Sequence, residues 1–110
     1  MKKIIVVTGG AGFVGANLIK FLAKKTNFDI ISIDDYSSGY KKNHIKNKKI
    51  KYIKSHTKNI SKILIKEKNN INALFHLGEF SRIYQSFLKM NECIKSNVVG
   101  TNEVFNFCFE

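Results

Sequence analysis

Apolar and polar positions along the chain alternate between short buried runs and longer amphipathic stretches. Lys3 to Val7 is a β-branched run ending in Thr8-Gly9-Gly10 and predicts a buried strand. From about Phe13 to Lys25 the period becomes that of a helix. Val14, Leu18, Phe21 and Leu22 are expected on one face, with Lys20, Lys24 and Lys25 outside. Phe28 to Ile33 is a second strand, closed by Asp34-Asp35. Tyr36 to Asn47 is polar and reads as a loop with a short helix. Ile50 to Lys54 alternates as a third strand. Ile60, Ile63 and Leu64 among lysines predict an amphipathic helix from about Lys58 to Lys68. Ile71 to Leu77 is a fourth strand. Ser81 to Met90 predicts a short helix, and Asn91 to Phe109 a longer one, apolar on more than one side.

Strands that alternate with helices in this way build an α/β domain with a parallel sheet and right-handed crossovers. No internal repeat, low-complexity linker or second-domain boundary interrupts the pattern.

The chain has 110 residues, the size of one small domain or a piece of a larger one. Hydrophobic residues are 44% and charged residues 25%, a balance that excludes a disordered tail. No apolar run approaches the roughly 20 residues of a membrane span. The stretch after Met1-Lys2-Lys3 is too short for a secretory signal, so a cytoplasmic, membrane-free protein is the expectation. Cys93 and Cys108 have no metal-binding or scaffold spacing, and no metal site is expected.

The net charge, 19 − 8 = +11, raises nucleic-acid binding as a candidate. Every Lys or Arg except Arg82 is a lysine, whereas base readout and phosphate clamping lean on arginine forks. The lysines also travel with Ile and Asn while proline is absent, the mark of an A/T-rich genome. A mostly solvated surface is the expected role of Lys41 to Lys68, and nucleic acid is not the expected partner.

The sharpest chemical signal is Thr8-Gly9-Gly10-Ala11-Gly12-Phe13-Val14-Gly15. It holds G-x-G-x-x-G as Gly10, Gly12 and Gly15, and T-G-x-x-G-x-x-G through Gly9, Gly12 and Gly15. One glycine permits the tight turn, one lets a pyrophosphate approach the backbone, and one lets the helix pack on the strand. The helix beginning near Phe13 offers unpaired N–H groups and a positive dipole end. Asp34, about 20 residues on, ends the second strand, where a carboxylate accepts from ribose hydroxyls. The competing reading is a tight turn that binds nothing, with Asp34 capping the next segment. A carboxylate at Asp34 repels a 2′-phosphate, so NAD is expected over NADP, although Lys41 and Lys42 are close in sequence.

Four blocks in order carry a family resemblance: Thr8 to Gly15, Asp34-Asp35-Tyr36-Ser37-Ser38-Gly39, Phe75-His76-Leu77-Gly78, and Asn97-Val98-Val99-Gly100-Thr101-Asn102. The chain resembles the N-terminal part of the NAD-dependent epimerase/dehydratase family, the extended short-chain dehydrogenases/reductases that act on nucleotide sugars, and within it the UDP-glucose 4-epimerase-like enzymes. The resemblance implies a Rossmann-type doubly wound parallel sheet, present as its N-terminal half of about four strands. It implies that Gly9, Gly12, Phe13, Val14 and Gly15 face the pyrophosphate of NAD and that Asp34 binds ribose. It also implies that Asp35, Ser38 and Gly39 line the adenosine and phosphate side, that Leu77 and Gly78 meet the nicotinamide ribose, and that Asn97 lies near the cofactor.

Two departures stand out. The family's Asp and apolar residue after strand three correspond to Ser55-His56-Thr57, so His56 is a stacking or hydrogen-bonding candidate beside its reading as a solvated loop residue. After His76 comes Leu77-Gly78-Glu79, which puts an acid beside the expected cofactor path. His76 itself is expected to be a satisfied core histidine.

The resemblance also implies a catalytic Tyr-x-x-x-Lys pair. None of Tyr36, Tyr40, Tyr52 or Tyr84 has a lysine four residues on. Residues 1–110 are therefore expected to be a partial NAD-binding domain, without the acid/base pair and the sugar-binding part, and not catalytic alone. Its expected partners are a nucleotide-sugar substrate in the full-length enzyme and either a homodimer mate or a complementing C-terminal chain. The alternative function is a nonenzymatic NAD-binding module that pairs with another chain. Strand four is expected to leave its outer edge unpaired, and Val104, Phe105, Phe107 and Phe109 outnumber what the remaining chain can cover.

Overall fold

Isoleucine and valine at consecutive strand positions can all be buried only if both faces of the sheet are covered. A computed structural model describes residues 3–37, 39–78, 91 and 94–109. In it β1 (Ile4–Thr8) is buried along its whole length. There follow α1 (Phe13–Lys25), β2 (Asp29–Asp34), a 3₁₀ turn at Lys41–Asn43 and β3 (Ile50–Lys54). A second 3₁₀ turn, Thr57–Asn59, leads into the one-turn helix α2 (Ile60–Ile63), and a third, Lys68–Asn70, into β4 (Ile71–His76). A π-helical segment, Lys95–Gly100, runs into α3 (Thr101–Phe109).

The four strands form one parallel sheet in the order β3-β2-β1-β4. Ile4 pairs with Asp29 on one side and Ile71 on the other, with a register irregularity between Ile4 and Ile5 on the β4 side. Alternation along β1 then divides the core. Ile5 and Val7 join Ile30 beneath Ile19, Leu22 and Ala23 of α1. Ile4 and Val6 join Ile31 and Ile33 beneath Ile60, Leu64, Val104 and Phe107. Helices thus cover both faces, the doubly wound arrangement expected of the sequence.

Three helical expectations need correction. α1 has the expected span and half of the expected face: Leu22 is buried and Leu18 packs beside it, with Gly15, Ile19 and Ala23 also buried, whereas Val14 and Phe21 are 63% and 59% exposed. Gly15 sets this phase, because a Cβ there would overlap the Gly9 carbonyl oxygen. The closest approach of helix to strand outweighs the hydrophobicity of Val14 and Phe21. The helix expected over Lys58 to Lys68 shrinks to α2 and its flanking turns. Ile60 and Leu64, one turn apart, already fill the core there, and the polar Lys66-Glu67-Lys68-Asn69-Asn70 run has no further apolar anchor. The last helix is partly π-helical. It buries Val104 and Phe107, which the core does cover, and leaves Phe105 and Phe109 exposed. The helix expected over Ser81 to Met90 lies outside the described residues.

Lys49 is an exception to the solvated lysine surface: its Nζ donates to the carbonyls of Ala23 and Thr26 at 2.8 and 2.7 Å, closing the C-terminal end of α1. No described helix is long and apolar enough to cross a membrane.

Candidate cofactor site

The loop between β1 and α1 is built by backbone geometry. Gly9 has a φ of +74°, which favours glycine, and its N–H donates to Ile33 O at 2.7 Å. A Cβ on Gly9 would lie 2.5 Å from Leu77 O, so the loop and the end of β4 are in close contact. Gly12 is the N-cap of α1. It differs from Gly9 and Gly15, because among the described residues a Cβ there would meet only Gly9 O, at an ordinary 3.5 Å. Among the described residues nothing demands glycine at Gly12. A group approaching from outside would. Beside it, the first turn of α1 has no side-chain cap and no acidic residue of its own, so its leading N–H groups and positive dipole end are left for an acceptor from elsewhere. Phe13 and Val14, the first two residues of the helix, are exposed.

Asp34 ties this loop to the next one. Its Oδ2 accepts from Ala11 N at 2.9 Å and its Oδ1 from Tyr36 N at 2.7 Å. A carboxylate has about four acceptor sites, so capacity for ribose hydroxyls remains. The competing reading of Asp34 as a local cap is thus present too: one side chain can do both. Asp35 accepts from Ser37 N at 2.9 Å in an exposed turn. Ser38 lies outside the described residues.

Ala11, fully buried, is a hub that sequence reasoning passed over. Its carbonyl accepts from Tyr40 N at 3.1 Å and Asn43 Nδ2 at 2.8 Å. Gly39 packs on it so closely that a Cβ would lie 2.7 Å from Ala11 C. The polar loop after β2 is therefore folded onto the glycine loop. An aromatic stack supports it: the rings of His44 and Tyr52 lie 3.7 Å apart at 11°, and Tyr36 Oη meets His44 Nε2 at 2.6 Å. Tyr36 has a φ of +63°, unusual for a non-glycine residue, and the Asp34 and His44 contacts hold it there. Burial, with the neighbouring Asp34 charge next, pushes the Tyr36 phenol pKa up. Burial, then Lys41, pushes the His44 pKa down. Lys42 Nζ stands 5.0 Å over the Tyr40 ring, which occupies one of the two lysines close to Asp34 in sequence.

On the β4 side, Thr8 is the organising residue. Its Oγ1 accepts from Leu77 N at 2.9 Å and Gly78 N at 3.0 Å and contacts His76 Nδ1 at 2.6 Å. His76 Nε2 meets Thr101 Oγ1 at 3.0 Å, so the expected satisfied histidine is found. A buried threonine closing an otherwise aliphatic strand was the available sequence signal for Thr8. His56 caps a turn, its Nδ1 accepting from Lys58 N at 3.1 Å. Asn97, half-buried on the π-helical segment, lines an open groove with Val98, Val99, Thr101, Asn102 and Phe105. Among the described residues, that groove is lined by this helical segment and not by the glycine loop. The structure therefore groups Gly9, Gly12, Gly15, Asp34 and Gly39 around Ala11, and Leu77 and Gly78 around Thr8. Among the described residues no cluster of His, Cys, Asp and Glu suits a metal ion.

A model of the NAD dependent epimerase/dehydratase family matches residues 5–110. The chain belongs to this family. Epimerase/dehydratase relatives are similar along nearly all of it. A dTDP-D-glucose 4,6-dehydratase of Dictyostelium discoideum is 33% identical, over 94% of this chain and 25% of that protein. An epimerase of the methanogen Methanothermobacter thermautotrophicus superposes with a TM-score of 0.86 at 28% identity, over 96% of this chain and 31% of that structure. The Bordetella bronchiseptica enzyme WbmF, solved in complex with NAD+, shares the fold with a TM-score of 0.87 at 22% identity, over 96% and 32%. This epimerase/dehydratase chain thus spans about a quarter to a third of the length of the relatives it matches.

Proposed function

We propose that this chain is the NAD-binding portion of a nucleotide-sugar epimerase or dehydratase of the UDP-glucose 4-epimerase-like kind, and that it is not catalytic alone. The observation that carries the reading is Gly12. Among the described residues, space for a Cβ exists there, and that space opens at a helix N-terminus with no side-chain cap and no acid in its first turn. The pyrophosphate of NAD takes that position, accepting from the leading N–H groups of α1, with Phe13, Val14 and Gly15 as the backbone around it. Asp34 accepts from the adenosine ribose with its remaining lone pairs. Asp35, Ser38 and Gly39 belong to the loop on the adenosine side, and Leu77, Gly78 and Asn97 to the nicotinamide side. When bound, NAD supplies hydride transfer. The family membership supports the cofactor, and the dehydratase relative, named for a nucleotide-linked glucose, supports the substrate class.

Residues 1–110 are then a partial dinucleotide-binding domain. The acid/base pair and the sugar site come from further protein, as a continuation or as a complementing chain. The position of β4 at one end of the described sheet favours a partner strand there. Titration of the folded chain with NADH, followed by nucleotide fluorescence, is expected to saturate. A folded sample with no saturable binding sinks the proposal. Turnover of a nucleotide sugar that returns on addition of a polypeptide supplying Tyr-x-x-x-Lys would favour a divided enzyme over a nonenzymatic NAD module.

A further inference from the structure

The sheet order fixes where a dinucleotide must run. With the pyrophosphate at the loop after β1 and the adenosine ribose at Asp34 after β2, the other half extends the opposite way, over the C-terminal end of β4. That course of the dinucleotide rests on the proposed NAD site. That end of β4 is His76, Leu77 and Gly78, and it is held by Thr8.

The hydrogen bonds assign a proton. A threonine hydroxyl has one donor and two acceptor lone pairs. Gly78 N donates to Thr8 Oγ1, and Leu77 N divides its one N–H between Oγ1 and the Thr8 carbonyl at 3.0 Å, so both amides face the Oγ1 lone pairs and the hydroxyl proton is directed to His76 Nδ1. Nδ1 is therefore unprotonated. The neutral ring then carries its proton on Nε2 and donates it to Thr101 Oγ1, the first residue of α3. One chain of bonds thus runs from the β4 turn through Thr8 and His76 to the start of the last helix. Its members come from three elements distant in sequence: β1, β4 and α3.

We propose that His76 is a positioning residue for the nicotinamide half of the cofactor. Held as the Nε2–H tautomer between Thr8 and Thr101, it fixes the Leu77-Gly78 turn against both the phosphate loop and α3. The adenosine half lies beyond Ala11 and Asp34, on the other side of β1, and does not depend on this link.

The test compares two probes on the same protein. ADP presents only the adenosine and diphosphate half, whereas NAD presents both. Thr101→Val removes the acceptor of the His76 proton at the far end of the chain of bonds and leaves Thr8 untouched. It is expected to weaken NAD by roughly fivefold, the effect of one hydrogen bond, and to leave ADP within about twofold. Thr101→Ser is expected to restore NAD affinity. Nitrogen NMR of the His76 ring in the unsubstituted chain reads the tautomer directly, with Nδ1 unprotonated and Nε2 protonated. Equal loss of ADP and NAD, no loss of either, or a protonated Nδ1 in the neutral ring would each overturn the assignment. Failure of the unsubstituted chain to bind either nucleotide overturns the cofactor reading, and this one with it. Binding of both nucleotides with an unchanged NAD-to-ADP ratio overturns this one alone.

Discussion

Gly12 and Gly15 are three residues apart and have different reasons to be glycine. Gly15→Ala forces a methyl group into the Gly9 carbonyl and is expected to cost about 1–3 kcal/mol of stability, read from a urea midpoint. Gly12→Ala meets only ordinary contact. It is expected to change stability by no more than about 1 kcal/mol while weakening NAD at least about tenfold, the cost of blocking the phosphate approach. Equal losses of stability in the two variants would argue that Gly12 is structural. His44 provides a pH test. Its folded pKa lies below the usual histidine value of 6.5, so the unfolded chain takes up its proton first as pH falls. Its contribution to stability is full above pH 6.5 and is lost as pH falls from there through the lowered folded value. The slope of stability against pH below neutrality is expected to flatten in His44→Gln. The glycine spacing and Asp34 were legible as a site because their chemistry is local in sequence. Ala11, Asn43 and the stack of His44 on Tyr52 were not, since their roles arise only when the loop after β2 folds back.

At the scale of elements, the strands could be read to within about one residue. A parallel strand buried on both faces is a nearly continuous aliphatic run, and few other elements look like it. Helices were harder. α1 could be delimited but only partly rotated: Leu18 and Leu22 face the core as expected, but Val14 and Phe21 do not, because the phase depends on Gly15 against the Gly9 carbonyl, a contact with no hydrophobic signature. The segment after β3 was overextended because lysine and isoleucine recur there at helical spacing, while of its described apolar side chains only Ile60 and Leu64 are fully buried and Ile63 packs at the core's margin. Leu64→Ala is accordingly expected to cost about 2–5 kcal/mol. Ile65→Ala, at a side chain 71% exposed, should stay within about 0.5 kcal/mol. Thermal or urea denaturation of the pair checks the single-turn assignment. A comparable loss at Ile65 would require the longer helix after all.

At the scale of the molecule, the two ends of the described sheet are chemically unlike. β3 carries exposed Lys51 and Lys54, charges that discourage another strand from pairing. β4 has no charged residue between Ile71 and Phe75, and Asn72 and Phe75 are its exposed positions. Replacing Lys51 and Lys54 together by valine is expected to increase self-association, measured by light scattering. An unchanged molecular size would mean that the β3 end is protected by something other than charge. The alternating layout was legible because strand and helix periods differ. The contrast between the ends was not, since it depends on a strand order that the pattern alone leaves open. That order also has a kinetic consequence. β1 is made first and sits between β2 and the much later β4. On a ribosome, β1, β2 and β3 can zip together while β4 is still being synthesised. Until β4 arrives, the backbone of Ile5, Val6 and Val7 stays open on one side. The rate at which the nascent chain closes that gap, more than its final stability, then decides how much of it escapes aggregation.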